Sequence, residues 1–222
     1  MITWSYSSLK TFEQCPKKYY HLRVAKDTKD EGTVHTIYGN EAHKAAEDFI
    51  KVRAELPPKF KYMEKALATI YEIPGEKHCE LKLGIKQTDT GYEACEFFDP
   101  VVWWRGIIDL LIIDGEKAYL IDYKTSKNAR YADMKQLDIA AAAVFTHYPQ
   151  VKRIRSALIF VVSEELVRKD HVAEKKDTYF KLFDPALDRL AGAMRSGVWN
   201  AVSSPLCKFC PVKQCEHYVE RK

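Results

Sequence analysis

Three charged side chains, Asp109, Asp122 and Lys124, lie inside two apolar runs that flank an Asp114-Gly115 turn signal. The two runs with this turn between them predict a β-hairpin. Because a charge at a half-buried strand position is costly unless it is paired or binds a metal, these residues are candidates for chemistry. Side chains alternate along a strand, so Asp122 and Lys124 share one face.

The length of the turn decides whether the two carboxylates meet. If the loop comprises residues 114–117, Asp109 lies directly opposite Asp122, with Cβ atoms about 4.5–5.5 Å apart. With a two-residue loop, Asp109 lies opposite Leu120, still on the same face as Asp122. Two such carboxylates repel each other, and a divalent cation such as Mg²⁺, held by carboxylates, water and phosphate, removes the repulsion. Lys124 could then polarise an attacking water or hold a phosphate. The alternative is a surface ion pair on a solvated sheet face.

Composition places these residues in an ordinary globular chain. The 222 residues are 46% hydrophobic and 30% charged, with a net charge of +4, which is too small to argue for nucleic-acid binding by itself. We expect one domain, or one domain with an appendage. The sequence contains neither a run of 18 apolar residues nor a signal-peptide pattern, so we expect a cytoplasmic protein without membrane spans. The six cysteines then indicate metal ligation or free thiols.

Two helical regions near the start of the chain carry candidate ligands. Residues 5–25 predict two short helices that meet at Cys15, because Cys15-Pro16 interrupts a helical apolar pattern. Residues 39–53 predict a clear helix on which His43 and Glu47, four apart, share a face. This pair is either a structural hydrogen bond or a site in which His43 reaches a metal and Glu47 or a neighbour orients its ring.

Strands and helices around the hairpin complete an α/β pattern. A short helix is predicted over 62–71, strands over 78–86 and 92–98, a buried helix over 133–145 and a strand over 153–163. Glu80 either faces the metal site from its strand or is exposed, and Gln136 lies in the first turn of its helix. The strand–helix–strand order predicts a crossover that places Ile121 and Leu158 in one sheet. A last helix is predicted with Asp184 as N-cap and Pro185 at its first position.

Three cysteines in the tail, Cys207, Cys210 and Cys215, have the compact spacing C-x2-C-x4-C. A tetrahedral zinc or a cubane cluster needs a fourth ligand. His217 is too close to Cys215 to be an easy choice, whereas Cys15 has a comparable Cys-Pro context. The alternative is that the three tail cysteines only pack.

These motifs together resemble those of the PD-(D/E)XK nuclease superfamily, and within it the RecB-like branch with an iron-sulfur cluster, which includes AddB-type helicase-nucleases and nucleases of CRISPR adaptation. The resemblance covers nearly the whole chain and follows the order of the motifs. The matching positions are Ser5, Ser7, Glu13, Cys15, Pro16 and Tyr19, then Gly39, His43 and Glu47, then Gly106, Asp109, Asp122, Lys124 and Gln136, and finally Cys207, Cys210 and Cys215.

The resemblance implies a restriction-endonuclease-like α/β fold in which a central mixed sheet is flanked by helices. It implies a single nuclease domain, with a core over 36–165 and a helical cysteine-cluster part formed by 1–25 and 185–222. The implied activity is metal-dependent cleavage of DNA, with exonuclease action expected, in recombination, repair or phage DNA metabolism. The partners would be single- or double-stranded DNA with free ends and a separate helicase or recombination protein.

The resemblance also implies site roles. His43, Asp109, Asp122 and the backbone carbonyl of Tyr123 would hold one or two Mg²⁺ or Mn²⁺ ions. Lys124 would help to activate the attacking water, and Gln136 would complete the catalytic set. The group Cys15, Cys207, Cys210 and Cys215 would hold a structural 4Fe-4S cluster.

Two departures from the family pattern bear on these roles. Ala140 stands where the family has tyrosine after the glutamine, and the spacing from Cys210 to Cys215 is one residue tighter than in many relatives, which leaves zinc as an alternative to the cluster. A different class of function is a catalytically silent DNA-binding or recruitment module with a structural iron-sulfur or zinc site. The complete set Asp109, Asp122 and Lys124 argues against that class.

Basic and aromatic side chains near these motifs are candidates for DNA contact. Charge runs are more often solvated faces, and tryptophans are more often core. The candidates are Lys17, Lys18, Lys127, Arg130, Lys152, Arg153 and Arg155, with Trp103, Trp104 and Tyr131 as stacking surfaces.

Overall fold

A mixed β-sheet organises the computed structural model, which describes residues 2–130 and 132–220. In this part of the chain the strands follow the order β2-β1-β3-β4-β5-β6. The β4–β5 pair is parallel and the other neighbouring pairs are antiparallel. The strands are β1 (Glu76–Thr88), β2 (Gly91–Cys95), β3 (Trp104–Asp114), β4 (Lys117–Lys124), β5 (Arg153–Phe160) and β6 (Glu165–Val172). This architecture, with helices flanking the sheet, confirms the predicted fold class.

The helices form where the sequence predicts them, but some of them begin or end at other residues than predicted. They are α1 (Tyr6–Gln14), α2 (Pro16–Tyr19), α3 (Val34–Val52), α4 (Glu64–Tyr71), α5 (Lys135–His147), α6 (Lys176–Lys181) and α7 (Asp184–Ser196). Cys15 separates α1 from α2, as predicted. Helix α3 begins five residues before Gly39, because Thr33 and Thr36 form a capping box. In α7, Phe183 occupies the N-cap position and Asp184 is the first helical residue, one position away from the prediction.

The hairpin turn is centred on Gly115 and Glu116. Gly115 has a φ of +60°, a conformation that glycine adopts without steric cost. Asp114 pairs with Lys117 and Ile113 with Ala118. The register is therefore the one that aligns Asp109 with Asp122, but the loop has two residues, 115 and 116, and not the four of the first alternative, because the ladder extends to the pair Asp114–Lys117.

The crossover from β4 to β5 also has the predicted form. Asp122 pairs with Leu158 and Lys124 with Phe160 in a parallel ladder, and α5 forms the connection. The chain therefore enters α5 from the end of β4 that carries Asp122 and Lys124.

Strand β6 was missed in the sequence. It pairs with β5 from Glu165 opposite Phe160 to Val172 opposite Arg153, and it forms an edge of the sheet. Edge strands commonly carry charges that discourage pairing with other chains. The charged residues that mark β6 as an edge also hide the apolar alternation by which a strand is recognised.

One face of the hairpin packs against the helices that precede it in sequence, and their side chains form a hydrophobic core. From the hairpin it contains Leu110, Ile112, Ile121 and Tyr123. From α3 and the segment through α4 it contains Ala42, Ala46, Phe49, Phe60, Met63 and Leu67. Because side chains alternate, burial of Ile121 and Tyr123 in this core turns Asp122 and Lys124 to the opposite face.

The chain divides into two compact units. The first, residues 33–181, contains the sheet, and the second combines residues 2–32 with 182–220. In the second unit, Trp199 lies 6.1 Å from Tyr19 and 5.4 Å from Tyr20 between ring centroids. The backbone N–H of Lys17 donates to the carbonyl of Asn200 at 3.2 Å. These contacts hold the two ends of the sequence together within this unit.

Over residues 2–130 and 132–220, no helix has the length and apolarity that a bilayer crossing requires.

A buried ionic cluster joins α5 to β6. His171 Nε2 lies 2.9 Å from Asp138 Oδ1, and Lys169 donates to Asp138 Oδ2 at 2.8 Å. Asp138 and His171 are 2% and 1% exposed. Burial raises the pKa of Asp138, but the bonds from His171 and Lys169 outweigh it, so its pKa lies below the usual value. The cluster fixes the start of α5 against the sheet.

Replacing Asp138 should therefore be costly. We expect Asp138→Ala to lower the free energy of unfolding by about 3 kcal/mol, because the buried His171 and the partly exposed Lys169 lose their acceptor. The control is Asp170→Ala on the same strand as His171, which breaks an exposed pair with Arg155 and should cost less than about 1 kcal/mol. Urea denaturation measures both, and equal losses would contradict a structural role for the cluster.

Candidate active site

Five elements of the sheet-containing unit bring the candidate residues together. Helix α3 supplies His43, β1 supplies Glu80 and β3 supplies Asp109. Strand β4 supplies Asp122, Tyr123 and Lys124, and the first turn of α5 supplies Gln136. Each side chain is thus held by a regular element, with its orientation set by that element's packing.

Asp109 and His43 form the centre of the site. Asp109 Oδ2 accepts the backbone N–H of Tyr123 at 2.8 Å and lies 3.3 Å from His43 Nδ1. The other ring nitrogen, His43 Nε2, lies 2.9 Å from the carbonyl oxygen of Tyr123. The β3–β4 ladder runs to the pair Leu110 and Ile121, and beyond it the side chain of Asp109 takes the place of a main-chain acceptor.

Glu80 joins this centre. His43, Glu80 and Asp109 each bring one ligand atom into a group whose members all lie within 4.8 Å of one another. Three ligand atoms this close together could hold a metal ion. Glu80 has a φ of +52°, which is uncommon outside glycine and is a form of strain found at functional sites. The sequence left Glu80 between a site role and an exposed position, and the structure places it half-buried beside the other two.

Asp122, Lys124 and Gln136 form a second, adjoining cluster. Lys124 Nζ lies 2.6 Å from Asp122 Oδ2 and donates to Gln136 Oε1 at 3.0 Å. The amide nitrogen of Gln136 donates to Asp122 Oδ1. Gln136 therefore holds both charged side chains from one helix turn. Asp122 contributes no atom to the triad of His43, Glu80 and Asp109.

The acids of the site repel one another electrostatically. Burial and the charge of Asp109 raise the pKa of Asp122 to about 6. Burial and the same charge also raise the pKa of Glu80. Burial lowers the pKa of His43, but the hydrogen bond to Asp109 together with the negative charges of Asp109, Asp122 and Glu80 outweighs burial, so the net pKa is raised. A cation bound among these oxygens would relieve the repulsion, so the donor set fits a hard divalent ion.

The raised pKa of Asp122 predicts a pH-dependent stability in the metal-free protein. A carboxyl with a higher pKa in the folded state binds protons more tightly when folded, so stability falls as pH rises from about 4 to about 6. In EDTA, Asp122→Asn should be more stable than the parent above pH 6, by about 1–3 kcal/mol. The difference should vanish near pH 4 in urea denaturation. A constant difference across this range would show that Asp122 does not titrate as described.

Several predicted contacts are placed elsewhere. Glu47 does not orient His43, because its carboxylate bonds Lys51 at 2.6 Å and Lys44 at 3.1 Å. Trp103 and Trp104 are 5% and 2% exposed, so they belong to the core, which the sequence favoured over the alternative that they are stacking surfaces. Trp103 packs there against Tyr92 and Phe180, with ring centroids 5.1 Å and 6.0 Å away. Tyr131 lies outside the described residues.

Several of the predicted basic side chains have partners within the chain. Arg155 pairs with Asp170 at 3.2 Å, Lys152 donates to the carbonyl of Pro149 at 2.7 Å, and Lys17 pairs with Glu216. Lys127, Arg130 and Arg153 are exposed. Contact between these side chains and DNA stays a prediction.

The four predicted cysteine ligands line one cavity of about 350 Å³ in the second unit. Cys15 Sγ accepts the backbone N–H of Lys18 at 3.5 Å, and Cys207 Sγ accepts that of Ser204 at 3.3 Å. Among the residues described, no three of these sulfurs lie within 4.8 Å of one another. All six cysteines are free thiols. Cys79 and Cys95 lie on β1 and β2, apart from the cavity.

Comparison with known proteins assigns a family to this arrangement. The model of the PD-(D/E)XK nuclease superfamily matches residues 3–215. A crystal structure from Eubacterium rectale, of a protein that carries the provisional name of exonuclease, is 13% identical, with a TM-score of 0.53 over 98% of this chain and 89% of that one. The crystal structure of SSO0001 is 12% identical, with a TM-score of 0.40 over 98% and 88% of the two chains. Curated proteins yielded no match.

Proposed function

This chain belongs to the PD-(D/E)XK nuclease superfamily, and we propose that it is a metal-dependent deoxyribonuclease that degrades DNA from free ends. The observation that carries the proposal is the placement of Asp109, Asp122 and Lys124. They lie on two paired strands, in the family's order, with His43 brought to them by a helix. Buried acids that repel one another beside a lysine are typical of a phosphodiester-cleaving metal site.

His43, Asp109 and Glu80 would hold one cation, and Asp122 with the carbonyl of Tyr123 would complete its surroundings. The 4.8 Å grouping of the first three supports their part, and the raised pKa of Asp122 supports a cation near its carboxylate. A bound divalent ion would supply Lewis-acid stabilisation of the charge that develops at the reacting phosphate. Binding requires neutral imidazole, so a protonated His43 would release one proton and keep its other N–H.

Lys124 and Gln136 would act on the attacking water and the phosphate. The Lys124 ammonium, held at 2.6 Å from Asp122 and 3.0 Å from Gln136, presents a hydrogen-bond donor at the edge of the acidic cluster. There it would orient the water and stabilise negative charge on a phosphate oxygen. Gln136 is a positioning residue, because its amide group bonds both Lys124 and Asp122.

We propose a structural 4Fe-4S cluster bound by Cys15, Cys207, Cys210 and Cys215. The shared cavity and the N–H···S bonds support it, because such bonds stabilise thiolates. Zinc, bound by the same four thiolates, is the alternative.

The finer assignments rest on the resemblance to the RecB-like branch. They are exonuclease action, a role in recombination, repair or phage DNA metabolism, cooperation with a separate helicase or recombination protein, and a cytoplasmic location. The division into a nuclease core over 36–165 and a cysteine-cluster part formed by 1–25 and 185–222 belongs with these proposals.

A cleavage assay tests the proposal directly. Purified protein is incubated with end-labelled linear and covalently closed circular DNA, single- and double-stranded, in Mn²⁺, Mg²⁺ or EDTA. We expect metal-dependent release of short products from linear DNA, with circular DNA spared. Cleavage of circles would contradict exonuclease action, and DNA binding without cleavage in any metal would favour the catalytically silent module.

A further inference from the structure

A small aromatic and basic surface, formed by Lys82, Phe97, Phe98 and Arg105, lies beside the active site. We call it the Phe97–Phe98 patch. Phe98 is 74% exposed, which is unusual for a phenylalanine, and Phe97 is half-buried beside it. The two rings meet edge to face, with centroids 4.9 Å apart and planes at 83°. A rigid aromatic pair is therefore displayed to solvent rather than packed in the core.

Two cations flank these rings. The Arg105 guanidinium lies 5.4 Å from the Phe97 centroid and 5.9 Å from that of Phe98, and Lys82 Nζ lies 5.9 Å from Phe97. Within the described part of the chain, neither cation forms an ion pair with a carboxylate. Asp99, in the same turn, directs its carboxylate to the backbone N–H of Val101 at 2.8 Å. The positive charge of the patch is thus available to an external anion.

The patch is continuous with the active site along β3. Arg105, Ile107 and Asp109 alternate along the strand and share its face, and four residues of strand span about 13 Å. Ile107, between them, is 49% exposed, so this face is open from the patch to the acidic cluster. Lys82 pairs directly with Ile107 from β1 and lies two residues from Glu80.

From these features we propose that the Phe97–Phe98 patch binds the unpaired bases of a single DNA strand whose phosphate lies at the active site. Exposed rings beside cations bind single strands by stacking on bases and neutralising phosphates. In a duplex the base faces are already stacked on their neighbours, so the rings favour an unpaired strand. The proposal deepens the proposed nuclease function and rests on it.

Binding in EDTA separates the patch from catalysis. The full-length protein is titrated against a fluorescent single-stranded oligonucleotide and a blunt duplex, and anisotropy is recorded. We expect Phe97→Leu with Phe98→Leu to weaken single-strand binding roughly tenfold, because leucine keeps the apolar volume without a stacking face. Phe97→Tyr with Phe98→Tyr should keep most of the affinity, and duplex binding should change less than threefold. Arg105→Ala should weaken binding, whereas Arg168→Ala, an exposed arginine on β6, should not.

The outcomes distinguish this inference from the function on which it rests. Unchanged single-strand binding by the leucine variant overturns the proposal that the patch binds DNA, even if the parent protein cleaves DNA. Equal weakening by the tyrosine variant also overturns it, because stacking would then not be the cause. Gel filtration that shows a dimer converted to a monomer by the leucine variant, with DNA affinity unchanged, assigns the patch to self-association instead. Failure of the parent protein to cleave any DNA contradicts the nuclease function, while the binding titration still decides the patch.

Discussion

Lys124→Ala should reduce the rate of DNA cleavage roughly 10³-fold at saturating metal, because it removes the positioned donor next to the reacting phosphate. The fold should survive, since the Lys124 side chain is partly exposed and Tyr123 and Asp122 remain anchored by neighbouring bonds. Single-turnover cleavage of linear DNA in Mn²⁺ measures the effect. Circular dichroism and urea denaturation report on folding.

Lys117→Ala is the matched control for Lys124→Ala. It removes a lysine from the same strand, seven residues away at the hairpin turn, where the side chain is exposed. We expect its cleavage rate to stay within about twofold of the parent, since a surface charge at that distance is screened. Lys124→Arg refines the test: a guanidinium keeps the charge beside Asp122 but not the compact shape of the ammonium. A Lys124→Ala protein that cleaves at the parental rate would place the catalytic donor elsewhere.

Cys207→Ser should remove roughly nine-tenths or more of the bound iron and destabilise the second unit, because a cluster that binds only the folded state contributes its binding free energy to folding. The four cysteines come from both ends of the sequence and line one cavity, so a bound cluster would tie those two ends together. Iron content and visible absorbance of anaerobic preparations measure the cluster. Limited proteolysis of residues 182–220 reports on the unit.

Cys95→Ser is the control for the cysteine prediction. Cys95 is a free cysteine on β2, away from the cavity, and its replacement should leave iron content unchanged. Cys15→Ser should behave like Cys207→Ser, although residue 15 is nearly 200 positions away in sequence. Retention of full iron by Cys15→Ser would remove it from the ligand set. Stoichiometric zinc without iron in the parent protein would replace the cluster by the zinc alternative.

Both predictions concern residues that the sequence alone identified, and the reason is that their signals are local. Asp109, Asp122 and Lys124 stand out because charge interrupts short apolar runs, and strand alternation already places Asp122 and Lys124 on one face. The Asp114-Gly115 signal predicted the hairpin because a positive φ at Gly115 is a property of a few adjacent residues. Helix α3 was predicted from its apolar periodicity, although its capping residues were not.

Contacts between residues distant in sequence determine the position of Glu80, the formation of β6 and the burial of the tryptophans. Glu80 approaches His43 and Asp109 only because β1 pairs with β3, and its left-handed backbone conformation is not encoded by its neighbours in a recognisable way. The pattern of β6 is dominated by the charges that protect an edge, and an edge exists only once the sheet is assembled. Trp104 has a side chain that could stack on a base, but it lies in the core. The aromatic pair that reaches solvent is the half-buried Phe97 with the exposed Phe98.

The sequence by itself determined which residues could do chemistry, the hairpin that carries most of them, and the family to which their order belongs. It did so because turn geometry and strand alternation act over a few neighbouring residues. The tertiary structure decided the register that aligns Asp109 with Asp122, the arrival of Glu80, and the repulsion that raises the pKa of Asp122. These depend on burial and on atoms brought together from separate strands and helices, and no local pattern specifies such distances.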